Sequence, residues 1–270
     1  MSDDVGLLTF ERVDVSYAGR VVVHDVSLTL TPGRVTGLVG ASGCGKSTLL
    51  QAASGLLDDG AVTAGAIRYR GRDIAGLTRE ELRGLRGPGI ATVFQDCLAA
   101  LTPVRRIGDQ VLETLRAHGR ASRREMRATF AETCARIGLD DVDRILRSRP
   151  YELSGGMGQR VGIAMALMLR PSVLLADEPT SALDVTSQAR VVDELRRVRD
   201  EYGCATLVAT HAMGVVRALC DEVVVLRDGR VVEAGPTAKV LAHPADAYTR
   251  ALIDAAPHIE TGDVEGEGEG

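Results

Sequence analysis

Gly40, Ala41, Ser42, Gly43, Cys44, Gly45, Lys46 and Ser47, with Thr48 next, fit the spacing G-x-x-x-x-G-K-[ST], a run that leaves a chain little choice of fold. Residues 34–39 before it read as a short buried strand, and residues 47–54 after it as a helix ended by Gly55. Glycines at these positions let successive backbone N–H groups turn inward and cradle phosphate, and the start of the helix adds favourable potential for an anion. Lys46 would reach the outer phosphates and the Ser47 hydroxyl would ligate Mg2+. The plain alternative is a Gly-rich turn, and composition opposes it. Of 32 basic residues only Lys46 and Lys239 are lysine, so a chain that uses Arg almost everywhere has Lys at this position.

A second signal lies at residues 173–178, an apolar run ending in Asp177 and Glu178. A buried strand with an acid at its C-terminal end delivers a carboxylate to the crevice where such sheets bind ligands. Asp177 would hold Mg2+ through water, and Glu178 could orient or deprotonate an attacking water. Two acids before Pro179 would otherwise read as a solvated turn; beside a phosphate loop they read as metal and water chemistry. Further strands are expected at residues 7–15, 21–30, 60–76, 205–209 and 222–226, with a helix at 187–201 and a hairpin at 227–229. Strands alternating with helices give an α/β fold with a parallel sheet. Val111, Leu112, Leu115, Met126, Phe130, Cys134 and Ile137 recur at helical spacing within residues 108–147, which read as a helical insertion.

Composition narrows the function classes. The length of 270 residues allows one large domain or two small ones, and a net charge of -5 with 3% aromatics and no Trp argues against a nucleic-acid surface. No apolar run is long enough to span a bilayer, and the acidic start is unlike a signal peptide. Five scattered cysteines without a CxxC pair suit a reducing cytoplasm. Residues 101–150 hold eleven Arg against seven acids, whereas residues 251–270 hold six acids and no base and read as a solvated, disordered tail.

Leu153, Ser154, Gly155, Gly156 and Met157 resemble the signature motif of ATP-binding-cassette ATPases, and other motifs of that family follow in its order. Gln95 resembles the glutamine loop, residues 181–184 ending in Asp184 the D-loop, His211 the switch histidine, and Tyr17 the aromatic that stacks on adenine. The resemblance runs from about residue 7 to residue 252. It implies a RecA-like P-loop core with a parallel sheet, an N-terminal antiparallel β subdomain and an inserted helical subdomain. The implied division is 1–94 and 168–241 for the nucleotide-binding core, 95–167 for the helical insertion, and 242–270 for a C-terminal extension. It further implies ATP and Mg2+ as cofactors, Gln95 at the metal beside Ser47 and Asp177, and catalytic roles for Glu178, His211 and Gln95. Ser154, Gly155, Gly156 and Asp184 would meet the nucleotide held by a second cassette, a paralogue or another copy of this chain.

There are departures: Met157 stands where Gln is common, Cys97 where Pro often stands, and Ala212 where an acid often follows the histidine. The stretches 101–110 and 248–252 look like those of peptide and nickel importer ATPases, and the absence of Cys after Cys220 resembles the shorter members, including those for nickel or metal chelates. The expectation is therefore an importer ATPase at the cytoplasmic face of the membrane, peripheral, working with two permease subunits and indirectly with a solute-binding protein. An exporter subunit, or a repair or translation ATPase with the same cassette, is the alternative.

Overall fold

A computed structural model describes residues 6–119, 122–181 and 184–255. Near the N-terminus, β1 (Leu8–Tyr17) and β2 (Arg20–Leu30) form an antiparallel pair, because their apolar residues recur on one face: Val26, Leu28 and Leu30 are buried and Ser27 and Thr29 exposed. The chain then enters β3 (Val35–Val39), whose residues are all buried, and α1 (Lys46–Ser54), which ends on left-handed Gly55. β4 (Gly60–Tyr69) and the two-residue β5 (Arg72–Asp73) complete a four-stranded sheet in the order β2-β1-β4-β5. The strand pair expected at 60–76 is thus one long strand and a stub, closed by a 3-10 turn at Ile74–Gly76.

After α2 (Arg79–Leu85) comes β6 (Ile90–Val93), and the chain then leaves the sheet for α3 (Ile107–Ala117), α4 (Arg123–Ile137), α5 (Val142–Arg147) and α6 (Gly155–Leu167). The helically spaced residues Val111, Leu112, Leu115, Met126, Phe130, Cys134 and Ile137 are all buried there. α4 starts with a reciprocal Ser122–Glu125 capping box and ends on left-handed Gly138. The sheet resumes with β7 (Val173–Asp177), α7 (Val185–Tyr202), β8 (Ala205–Thr210), α8 (Met213–Leu219), β9 (Glu222–Arg227) and β10 (Arg230–Pro236), followed by α9 (Thr237–Ala242) and α10 (Ala247–Asp254).

The six strands order β10-β9-β3-β8-β7-β6, parallel except for the antiparallel β9–β10 hairpin. Every residue of β3 and β8 is buried, as expected of central strands covered on both faces. Alternation sends Val35 and Val39 to the helical side and Leu38 to the side of α1 and the antiparallel sheet. The disordered tail expected over residues 251–270 is corrected at its start, because α10 continues to Asp254; residues 256–270 lie outside the described residues.

Candidate functional site

Register brings the chemistry to one edge of the sheet. Val39 pairs with Thr210 and Asp177 with Ala209, so β3, β8 and β7 end at the same level. The glycine loop, His211 and the Asp177–Glu178 pair leave those three ends side by side.

The loop can follow its path only with glycine at its start. A Cβ on Gly40 would lie 2.1 Å from the Leu226 carbonyl oxygen. Gly43 and Gly45 have φ of +79° and +108°, backbone that other residues rarely adopt. Gly45 caps α1, and Lys46 begins it. Lys46 is only 6% exposed; its Nζ folds back to donate to the carbonyls of Gly40 at 2.8 Å and Ala41 at 3.2 Å, and stands 3.7 Å from the Glu178 carboxylate. The Ala41 N–H donates to the Tyr248 hydroxyl at 2.9 Å. Cys44 is buried, which pushes its thiol pKa up.

Asp177 accepts a hydrogen bond from the Ser47 side chain, yet its Oδ1 is buried without a partner, and burial pushes its carboxyl pKa up. A buried carboxylate oxygen left unpaired beside a hydroxyl fits a hard divalent cation. No group of three or more His, Cys, Asp or Glu among the described residues could hold a metal alone. Mg2+ takes one or two protein oxygens and completes its shell with phosphate and water, so Asp177 with the Ser47 hydroxyl would suffice to hold it. Glu178 has φ of +45°, an uncommon state for a side-chain-bearing residue. Its N–H donates to Ala209 O at 2.8 Å, and its carbonyl accepts from the N–H and hydroxyl of Ser181 at 3.2 and 3.1 Å. This brace aims the Glu178 carboxylate at His211, whose Nδ1 lies 3.0 Å away.

A cleft of about 770 Å³ joins Ala41, Ser42, Gly43, Gly45, Lys46, Ser47, Thr48, Gln95, Glu178 and His211. Gly40, Cys44 and Asp177 are not part of this lining. Ser154, Gly155, Gly156 and Asp184 instead line a separate cavity of about 320 Å³. There Ser154 caps α6 and Asp184 caps α7, accepting from Ser187 N at 2.9 Å. Ala182 and Leu183, between Ser181 and Asp184, lie outside the described residues. Arg160 of α6 ties the two helices together by pairing with buried Glu194 of α7. Tyr17 is not in either lining: its ring lies over Gly60 and its hydroxyl donates to Gln51 Oε1 at 3.3 Å.

Sequence reasoning missed Leu252 and Ala255, which line the same cleft as Lys46. Tyr248, Leu252 and Ala255 follow at i, i+4 and i+7, so helical periodicity could have placed them on one face.

Residues 23–181 match the family described as ABC transporter. The chain is 39% identical over 239 residues to the oligopeptide transport ATP-binding protein AmiE of Streptococcus pneumoniae, covering 88% of this chain and 67% of that one. It is 36% identical over 265 residues to the dipeptide transport ATP-binding protein DppD of Bacillus subtilis, covering 96% and 79%. Among solved structures, the cassette MJ0796 as a dimer bound to ADP and Pi matches with a TM-score of 0.75 and 29% identity, over 85% of this chain and 98% of that one. With the glycine loop and paired acids at the sheet edge, these matches place the chain in the ABC transporter family, as an ATP-binding-cassette ATPase.

Proposed function

We propose that the chain is the ATP-hydrolysing subunit of a peptide importer and that it completes its site only against a second cassette. The observation that carries this reading is the separation of the two cavities. Lys46 and Glu178 share one, whereas Ser154, Gly155, Gly156 and Asp184 share another. A nucleotide on the phosphate loop therefore needs the signature residues of a partner, either a paralogue or a second copy, and the partner's nucleotide needs those of this chain. The dimeric state of the solved relative supports the same arrangement.

In this reading the loop N–H groups and Lys46 hold the phosphates. Ser47 and Asp177, with Gln95 at the rim, hold Mg2+, which when bound neutralises phosphate charge. Glu178, braced by Ala209 and Ser181 and contacted by His211, orients water and takes its proton. Tyr17 would serve the adenine from the end of β1. Gln95 follows β6 and precedes the helices, so changes at the outer phosphate reach residues 95–167 through it. Residues 1–94 and 168–241 then act as the nucleotide core and 242–270 as an extension.

No helix among the described residues is long and apolar enough to cross a membrane. In the importer reading, which rests on the relatives, the solute path is assigned to two permease subunits, with this chain peripheral on the cytoplasmic face and a solute-binding protein upstream. The roles of the relatives, oligopeptide and dipeptide transport, favour peptides. Co-expression with candidate permeases and reconstitution in vesicles tests the reading: peptide-loaded binding protein should stimulate hydrolysis and peptide should enter. Stimulation by nickel or a metal chelate instead, or export rather than uptake, would overturn the solute or the direction.

A further inference from the structure

The stretch from Tyr248 to Leu252 has no part in the nucleotide chemistry described so far, yet α10 lies directly against the phosphate loop. The Tyr248 hydroxyl accepts the Ala41 N–H at 2.9 Å across 207 residues of sequence. The Gly40–Ala41 peptide is thereby held from both sides. Its carbonyl, that of Gly40, accepts from Lys46 Nζ at 2.8 Å, while its N–H, that of Ala41, goes to Tyr248. The tyrosine is itself fixed. The Arg227 guanidinium stands 5.1 Å from its ring centroid, and Asp246 caps the helix by accepting Tyr248 N at 2.7 Å. Glu233 of β10 accepts the N–H groups of Ala245 and Asp246 at 2.9 and 3.1 Å, which ties the start of α10 to the β9–β10 hairpin. One turn further on, Leu252 faces the cleft itself.

We propose that Tyr248 is a positioning residue for ATP binding, a pin from the C-terminal helix that fixes the first peptide of the phosphate loop. It does not touch the reacting atoms. If the pin is lost, the Gly40–Ala41 peptide is free to rotate, and the Gly40 carbonyl that seats Lys46 goes with it. Only the fraction of molecules with the loop in its cradle shape can then accept phosphates, so apparent affinity falls by that fraction. Once ATP is seated, Lys46 and Glu178 stand where they stood before, and the chemical step is unaltered. The inference rests on the phosphate-loop reading above.

The test is Tyr248→Phe in the full-length chain, which keeps the ring and its stacking on Arg227 and removes only the hydroxyl. Loss of one neutral hydrogen bond predicts a rise of about three- to tenfold in the dissociation constant for Mg-ATP, measured by calorimetry. In the assembled transporter KM for ATP should rise by the same factor while kcat stays as in the parent and Tm falls by no more than about 2–4 °C. An unchanged KM, or a kcat that falls together with Tm, would overturn the pin. Lys46→Ala run alongside separates the two layers: if it too binds ATP as the parent does, the phosphate-loop reading fails, and if it alone loses binding, only the role of Tyr248 fails.

Discussion

His211 Nδ1 lies 3.0 Å from the carboxylate of Glu178, although 33 residues separate them in sequence. The contact exists because β7 and β8 pair in parallel and end together, and because Glu178 turns through φ of +45° to face its neighbour. Glu178→Gln retains size and hydrogen bonding and removes basicity. Hydrolysis should fall about a hundredfold or more, while Mg-ATP binding survives and two cassettes stay associated, seen as an earlier elution volume with the partner subunit present. Turnover at the parent rate would remove Glu178 from the mechanism. Slow turnover without association would undermine the role given to Ser154 and Gly156.

Lys46 sits with its Nζ between two carbonyl oxygens at 2.8 and 3.2 Å and a carboxylate at 3.7 Å. A compact ammonium fits that socket and a planar guanidinium does not. Lys46→Ala should lower hydrolysis about a hundredfold or more, and Lys46→Arg should fail to restore it. Recovery of activity in the Arg variant would show that charge alone suffices.

Asp177 gives a prediction of opposite sign for stability and activity. Burial raises its pKa above the unfolded value, so the ionised form is disfavoured by folding. Without metal, stability should therefore rise as pH falls through the folded pKa toward the unfolded one, and acidification should weaken Mg2+ binding over that same window. Asp177→Asn should raise the Tm of the ligand-free chain, abolish hydrolysis and remove the extra stabilisation that Mg-ATP gives over ATP alone. Thermal melts across pH with and without Mg2+ decide it; a lower Tm together with retained turnover would contradict the account.

The glycines of the loop differ in kind. Gly40→Ala would drive a Cβ to 2.1 Å from the Leu226 carbonyl oxygen, so the loop or β9 must move. Gly43→Ala meets nothing within 4 Å and carries only the strain of its φ of +79°, about 1–2 kcal/mol. Gly40→Ala should abolish ATP binding and lower Tm more than Gly43→Ala does, and equal losses in both would contradict this distinction.

Much of this was legible because it is local. The glycine loop and the acids ending an apolar strand announce themselves within a few residues. The helical spacing from Val111 to Ile137 likewise names residues that are buried. What was not legible depends on contacts distant in sequence. Nothing near Tyr248 says that its hydroxyl meets Ala41, because the meeting is made by the β9–β10 hairpin that carries α10 back to the loop. Nor does spacing reveal that the Tyr17 ring is laid over Gly60, which the pairing of β1 with β4 decides. The requirement for Gly40 comes from β9, more than 180 residues on.

If the helical segment docks a permease, as the proposed function requires, its exposed apolar and basic residues are where that contact can be tested. Val104 is 72% exposed and Tyr151 64%, and Arg149 bridges them by donating to Val104 O and the Tyr151 hydroxyl. Phe94, 42% exposed, adjoins Gln95, and its carbonyl accepts from Gln159 of α6 at 3.3 Å. Phe94 thereby ties Gln95 to the helix that Ser154 caps. Val104→Asp with Tyr151→Ala should uncouple the transporter: Mg-ATP binding by the chain stays at the parent value, while permease association and solute-stimulated hydrolysis are lost. Arg105→Glu and Arg106→Glu should weaken the same association, more at low salt than at high salt, because exposed charges are screened within about 10 Å at 0.1 M. Removal of residues 261–270 should leave transport unchanged. If that truncation uncouples transport while the changes at Val104, Tyr151 and the two arginines do nothing, the docking face lies elsewhere.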